Sequence, residues 1–185
     1  METITIETAL ATFTVDPAHS EVGFQVRHLG FSRVRGYFGE YEATIHLDPD
    51  QLSTLQVEAT IQADSISTGD EKRDNHLRSE DFFEVETYPE LTFESTGVQN
   101  VSADSFELTG DLTIHGVTKP VTLQGTYLGA GQDPWGGQRV GFEASTKINR
   151  KDFGLNWNTV LETGGVLVSE EVEILLDVQA VRQDD

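Results

Sequence analysis

The chain of 185 residues contains no cysteine, so it forms neither disulfides nor thiolate metal sites and has no cysteine nucleophile. It also lacks any run of about 18 uninterrupted apolar residues, which a membrane-spanning helix would need. Residues 1–10 carry Glu2 and Glu7 and have neither a basic start nor an apolar segment, unlike a secretory signal. We therefore expect a cytoplasmic protein with one domain over residues 1–185 and a disordered tail at residues 1–10.

Positive charge is scarce, with 12 Lys and Arg against 32 Asp and Glu and a net charge of −20. Such a charge repels phosphates and anionic lipid surfaces, so we expect no nucleic acid partner and no stable membrane insertion. We hypothesise a halophilic protein, because molar salt screens this repulsion to a Debye length of about 3 Å. Equal melting temperatures in dilute buffer and in molar KCl would contradict that hypothesis.

Most of the sequence alternates apolar and polar residues one by one, as where Val22, Phe24 and Val26 alternate with polar neighbours. Successive side chains of a strand point to opposite faces, so this period predicts an all-β protein with one apolar face. The predicted strands span residues 11–15, 21–29, 34–47 with a kink near Gly39, 55–64, 91–95, 106–114, 121–128, 139–148 and 172–181.

Strand length favours a barrel over a sandwich, since several predicted strands exceed the usual length of about 5–6 residues. About eight such strands predict an extended antiparallel barrel wide enough for one slender ligand. Several inward positions are small, which would leave room along the axis but would equally serve tight packing. These positions are Ala43, Ala59, Ala63, Gly125 and Ala144.

One short segment interrupts the alternation. Residues 68–78 are polar enough for a solvated helix, and Ser79 before two acids predicts the N-cap of a second short turn. Leu77, Phe82 and Phe83 supply an apolar face that would either close one end of the barrel as a lid or only cover a sheet edge.

Strand parity, the alternation of odd and even positions between the two faces of a strand, assigns a set of side chains to the lumen. Leu77, Phe82 and Phe83 extend this set to one end of the barrel. The predicted lining consists of Phe24, Val26, His28, Tyr41, Ile45, Val57, Ile61, Leu77, Phe82, Phe83, Phe93, Leu108, Leu112, Leu123, Phe142, Ile148, Ile174 and Leu176. A lone inward histidine such as His28 is more often a hydrogen-bonded core residue than a ligand contact. Trp135 and Trp157 are expected to pack over loops or an opening.

Several segments resemble motifs of the YceI family, in order along the chain. They are FTVDPAHS at 13–20, RDNHL at 73–77, DFF at 81–83, YPELTFES at 88–95, GDLTIHGVTKPV at 110–121 and NRKDFGL at 149–155. The resemblance implies a lipocalin-like barrel that carries or transports a polyisoprenoid or similar long-chain amphiphile, often as a homodimer. Many members of this family are periplasmic, whereas residues 1–10 of this chain do not resemble the secretory signal that a periplasmic protein needs.

Polar candidates are few. Arg27, Arg73 and Arg150 are the cations best suited to an anionic head group, because guanidinium forks match phosphate and carboxylate, although structural pairing with Asp is the simpler role. The histidines show no metal-binding spacing, so we expect no catalytic residue, no metal and no cofactor. Two alternatives remain open: an enzyme acting on a barrel-bound lipid, and a structural stress-response dimer with a filled barrel.

Overall fold

The structure, a computed structural model, describes residues 10–162 and 165–184, so nearly all of the predicted tail at 1–10 lies outside the described residues. The strands β1 to β11 span Ala11–Val15, Glu21–His28, Ser32–Phe38, Tyr41–Asp48, Gln51–Gln62, Ile66–Ser67, Glu90–Gln99, Ser105–Ile114, Val117–Gln132, Gln138–Asn149 and Glu171–Arg182. Helix α1 spans Glu71–Arg78, and 3-10 turns lie at Pro17–His19, Ala63–Ser65 and Arg150–Phe153. No described helix is long and apolar enough to cross a membrane.

Eight antiparallel strands close into a barrel in the order β1, β4, β5, β7, β8, β9, β10, β11, and β11 pairs again with β1. The sheet continues from β11 through β2 and β3 to the short β6. The predicted all-β barrel with a short helical insertion is therefore confirmed. It closes because β11 is long enough to pair with β2 over its first half and with β1 over its last residues.

The strand predicted at 34–47 is two strands. β3 ends at Phe38 and β4 begins at Tyr41, and between them the Gly39 amide donates 3.1 Å to the Ser65 carbonyl instead of to a neighbouring strand. The 3-10 turn at Pro17–His19 divides β1 from β2 in the same way. Since β1 pairs with β4 and β2 with β3, the two bends lie side by side and the wall changes direction there.

The barrel has two different ends. At one end, which we call the helix end, lie α1, the 3-10 turn Arg150–Phe153 and the β2–β3 and β8–β9 turns. At the other, which we call the hairpin end, lie the β4–β5, β7–β8 and β9–β10 turns. Phe13, Leu47 and Val140 are almost completely buried near the hairpin end, so this end is packed shut.

A polar network on the outer wall holds the bend between β1 and β2 against β10. Arg139 donates 2.8 Å from Nη1 to Asp16 and 2.9 Å from Nε to Asp133, and the ring of His19 lies 2.8 Å from Asp16. These hydrogen bonds, from Arg139 above all and then from His19, lower the pKa of Asp16 from 3.8 to about 2. The ionised carboxylate of Asp16 therefore stabilises the fold.

Asp16→Asn is expected to lower the free energy of unfolding by about 1–2 kcal/mol at neutral pH, a value reduced for partial exposure of the carboxylate. The pKa of Asp16 is lower in the folded chain, so its contribution exists above pH 3.8 and disappears as the pH falls through 2. Urea unfolding at about pH 6 and about pH 2.5 measures the difference, which is expected to shrink in acid. Asp111→Asn, at an exposed site on β8, is the control, and an equal loss there would refute the assignment.

Candidate functional site

A cavity of about 400 Å³ lies inside the barrel, and its wall is almost entirely apolar. Every residue predicted to line the lumen, from Phe24 to Leu176, is part of this wall, including the three lid residues. Strand parity holds for these residues although the register shifts at 46–48, 95–97 and 141–142, because the predicted lining residues of each strand all lie on one side of its shift. That these side chains contact a ligand remains a prediction.

The lumen stays open because large aromatic rings lie over glycines of the neighbouring strand, where no side chain stands in their way. A Cβ at Gly125 would fall 2.2 Å from the ring of Phe106, so this ring occupies the place of a missing side chain. Each such ring is held against the wall instead of projecting across the axis. The pairs are Phe24 on Gly36, Phe93 on Gly110 and Phe106 on Gly125.

The small inward residues divide into two groups. Ala43, Ala59 and Ala144 line the cavity, and Ala43 lies directly across from Ala59 in the β4–β5 pairing. Gly125 instead receives Phe106, and Ala63 is completely buried in a 3-10 turn. Three of the five positions thus leave space, and two serve close packing.

The polar side chains of the cavity wall lie mainly at the helix end. They are Thr68, Arg73, His76, His28 and Arg150. Arg73 is exposed and belongs to the lining, so the cavity reaches solvent at this end. A ligand with one polar terminus would therefore keep that terminus here and its apolar part toward the packed hairpin end.

Arg150 is buried and binds backbone carbonyls instead of a carboxylate. Its guanidinium donates 2.9 Å to Ser169, 2.6 Å to Leu155, 2.9 Å to Trp157 and 3.4 Å to Val168. Burial lowers its pKa and the charge of Glu170 partly offsets this. Arg150 therefore fixes residues 155–157 and 168–169 across the helix end, and the Asp pairing expected for it is absent from the described residues.

Arg73 is held in place by two hydrogen bonds to Thr68, and these bonds leave part of its guanidinium unused. Nε donates 2.7 Å to the Thr68 hydroxyl and Nη2 donates 2.9 Å to the Thr68 carbonyl, while Nη1 has no hydrogen bond to a described residue. The buried carboxylate of Asp74 accepts from the Thr68 amide at 2.8 Å and from its hydroxyl at 2.5 Å. Thr68 thus links Asp74 to Arg73, and one edge of the guanidinium is available to a ligand.

Three aromatic side chains cover the cavity beside these arginines. The ring of His76 lies 4.7 Å from that of Trp157 and 5.2 Å from that of Phe82, and Phe82 lies 5.4 Å from Trp157. Asp81 holds the His76 ring at 2.8 Å. Phe82 therefore belongs to a lid over the cavity, as one of the two interpretations of this segment predicts, and Trp157 packs over an opening as expected.

Residues 13–180 match the family model described as the YceI-like domain. The chain belongs to the YceI family. It is 42% identical over 165 residues to Protein YceI of Salmonella arizonae, covering 89% of this chain and 83% of that protein. The crystal structure of the Campylobacter jejuni YCEI protein has a TM-score of 0.75 at 30% identity and covers 100% of both chains.

A third YceI-like fold is a Saccharophagus degradans structure whose name describes a polyisoprenoid binding domain implicated in plant cell wall breakdown. Its TM-score is 0.68, with 94% of this chain and 99% of that chain covered. At 16% identity the likeness shows a shared fold alone.

Two predictions about individual residues of this YceI barrel need correction, those for Arg27 and Trp135. Arg27 is exposed on the outer face of β2, where it donates 3.3 Å to the Phe31 carbonyl, because its strand parity is opposite to that of Val26 and His28. Ser79 is the C-cap of α1 and, as predicted, also the N-cap of the turn that follows, because its hydroxyl accepts a hydrogen bond from the Asp81 amide at 3.3 Å. Trp135 is 86% exposed at the tip of the β9–β10 turn, so within the described chain it does not pack over a loop or an opening.

Sequence reasoning also missed lining residues of the YceI cavity on the segment 155–168. Leu155, Leu167 and Val168 reach the wall from a loop without alternating pattern, so parity could not have found them. Their only sequence signal is apolar character between Asn- and Gly-rich stretches. The segment is folded over the helix end by Arg150, whose role depends on contacts distant in sequence.

Tyr41 combines an apolar role with a buried polar atom. Its ring belongs to the cavity wall, and its hydroxyl is the one buried side-chain polar atom without a partner in residues 10–162 and 165–184. Burial, followed by the charges of Glu21 and Asp16, raises its pKa. Tyr41 therefore remains a neutral hydrogen-bond donor at physiological pH.

The histidines do not gather at one place. His19 pairs with Asp16, His46 lies 3.1 Å from Thr12, and His115 lies 3.3 Å from Glu84. Only His28 and His76 belong to the cavity wall. Within the described ranges, no three His, Asp or Glu side chains form a group that could hold a metal ion.

Proposed function

We propose that this protein binds and carries a polyisoprenoid or another long-chain amphiphile inside its barrel and does not change it chemically. One observation carries the proposal: a cavity of about 400 Å³ has an apolar wall along its length and polar groups gathered at its helix end. The apolar chain would lie toward the hairpin end. The polar terminus would lie beside Nη1 of Arg73 and near Arg150.

The binding energy would come from apolar burial. Removing apolar surface from water yields about 25 cal/mol per Å², so a few hundred Å² supplies several kcal/mol before the ordering cost of a flexible chain. An apolar wall recognises the length and thickness of a ligand more than its chemical identity. Isoprenoid chains, which are long, slender and apolar, fit such a wall.

The open lumen favours carriage over a purely structural role, since a filled barrel would have its large rings across the axis. The dispersed histidines favour carriage over catalysis, because a general acid and base must reach the same bound atom. The polyisoprenoid binding domain of Saccharophagus degradans shares the fold of this chain. The cargo proposed here is inferred from the cavity of this chain and not from that likeness. We also propose that the protein is a homodimer, as its resemblance to the YceI family implies.

Mass spectrometry of an organic-solvent extract tests the proposal. Protein purified without detergent is expected to release a long-chain compound in a stoichiometry approaching one per chain. Delipidated protein is expected to take up an added prenyl lipid and to gain thermal stability in proportion to its concentration. An empty extract together with no uptake of prenyl lipid would contradict the function.

A further inference from the structure

Two loop tips at the helix end expose apolar side chains that nothing in the described chain covers. Phe31, at the tip of the β2–β3 hairpin, is 85% exposed, and Val160, on the segment 155–169, is 80% exposed. Leu29 and Val166 beside them are 40% and 39% exposed. We call these four residues the apolar tips. An exposed apolar cluster of this kind marks an interaction surface.

The apolar tips belong to one continuous surface that borders the cavity. The Leu29 amide donates 2.9 Å to the Leu167 carbonyl, and His28 pairs with Val168 across the two loops. His28, Leu167 and Val168 also line the cavity. The exposed tips and the route into the lumen are thus built from adjacent residues of the same two loops.

Three arginines extend this surface along the outer face of the hairpin. Arg27, Arg33 and Arg35 are exposed, and Arg27 lies directly across from Arg33 in the β2–β3 pairing. None of them forms an ion pair within residues 10–162 and 165–184. Like charges directly opposite each other destabilise a hairpin, and the chain has only 12 basic residues to place.

The many acidic residues on the surface of the barrel do not neutralise the positive charge of these three arginines. Glu173 accepts a hydrogen bond from Gln25, beside the arginines, and Glu162 lies on the loop that carries Val160. At physiological ionic strength the Debye length is about 8 Å, so acidic groups on distant walls are screened while arginines in contact with a phosphate are not. Two further acids beside Ser169, Glu170 and Glu171, are paired with Lys151 and Lys147. The three arginines, unpaired within the described chain, therefore outnumber Glu173 and Glu162 and leave the surface locally positive.

We propose that the apolar tips and the three arginines dock the helix end onto an anionic lipid bilayer. The guanidinium groups bind lipid phosphates, and Phe31 enters the interface between head groups and acyl chains. A lipid then passes between bilayer and cavity without crossing water. The identity of that cargo rests on the proposed function, whereas docking itself does not. If a second copy of the chain bound to this surface through its own copy of it, the same arginines would lie opposite each other. Their repulsion disfavours self-association through this surface.

Vesicle flotation in about 0.1 M salt tests the docking. The full chain is expected to float with phosphatidylcholine vesicles that contain phosphatidylglycerol and not with phosphatidylcholine alone. R33Q/R35Q removes two side chains without a described hydrogen bond and is expected to weaken partitioning about 30-fold. The control R182Q removes a cation at the hairpin end of β11 and, compared with R33Q alone, is expected to have little effect.

The contribution of apolar side chains to vesicle binding is tested with a second pair of variants. Phe31→Ser is expected to weaken partitioning at least about 10-fold, since a phenylalanine side chain gains about 1.5–3 kcal/mol from burial. Trp135→Ser, at a residue equally exposed at the hairpin end, is expected to leave flotation unchanged. Equal flotation on neutral and anionic vesicles, or equal loss in the control variants, would overturn the proposal.

Two further measurements separate the possible failures. Light scattering would overturn bilayer docking if the wild type were a dimer that Phe31→Ser converts to a monomer, because a second copy would then occupy the surface. The lipid content of the extract is measured on the same preparations. Flotation without cargo would contradict the proposed function alone, and cargo without flotation would contradict the docking alone.

Discussion

Replacing Ala59 by Phe is expected to abolish the release of a long-chain compound from the purified protein. Ala59 faces the cavity from β5, directly across from Ala43 on β4 and from Phe93 on β7. A ring at this position fills space that the wild type leaves open, so the apolar chain loses its place along the axis. We expect the lipid in the extract to fall at least about 10-fold, which corresponds to about 1.4 kcal/mol.

The barrel itself is expected to tolerate this change. Overpacking a dense core costs about 1–3 kcal/mol, but here the new ring enters a cavity. Gln56→Phe adds the same ring to the exposed side of β5 and is the matched control. Circular dichroism and thermal unfolding verify that both variants remain folded. Undiminished lipid in folded Ala59→Phe protein would place the cargo outside the lumen.

A second variant reaches the same space by a different route. Gly125→Val displaces the Phe106 ring, because a Cβ at Gly125 would already lie 2.2 Å from it. We expect the displaced ring to move toward the axis, where the cavity has space for it. A reduced lipid yield in both folded variants would show that open volume, and not one particular side chain, determines binding.

The barrel wall could be predicted from the sequence because burial on one face imposes a period of two on every strand. Parity assigned Phe24, Leu112 and Ile174 to the lumen without knowledge of which strands are neighbours, and the structure places all three in the wall. A side chain's face depends only on its own strand. Arg27 illustrates the same rule, since its parity alone would have placed it outside.

The openness of the lumen could not be derived in this way. It depends on Phe106 meeting Gly125 on the next strand, and such a pairing requires the register between strands. The small inward residues were ambiguous for the same reason. The bend at Gly39 was visible as a kink, but its division of one strand into two depends on the Ser65 carbonyl, which is distant in sequence.

Arg150 shows most clearly what the sequence concealed. Its neighbour Asp152 suggested an ordinary ion pair, whereas the guanidinium is buried among four backbone carbonyls of the segment 155–169. Three of these carbonyls have no other described donor, and that of Val168 also accepts from the Asn158 side-chain amide at 2.7 Å. A fixed fork of five donors satisfies such a set, and no other side chain does.

Arg150→Met is therefore expected to lower the free energy of unfolding by about 3 kcal/mol, because it leaves several carbonyls without a donor. Hydrogen exchange is expected to rise in the segment 155–169 before the barrel strands exchange. Arg150→Lys keeps the charge but offers a compact ammonium, so it is expected to recover only part of the loss. Chemical denaturation followed by circular dichroism measures all three proteins.

Arg33→Met provides the reference for a lost arginine, since Arg33 is exposed and makes no described side-chain hydrogen bond. Its effect is expected to stay within about 0.5 kcal/mol. If Arg150→Met were equally mild, the segment would be held instead by apolar contacts such as that of its Trp157 ring with Phe82. Because that segment borders both the cavity and the exposed tips, a loosened helix end is also expected to release bound lipid faster while the lumen keeps its shape.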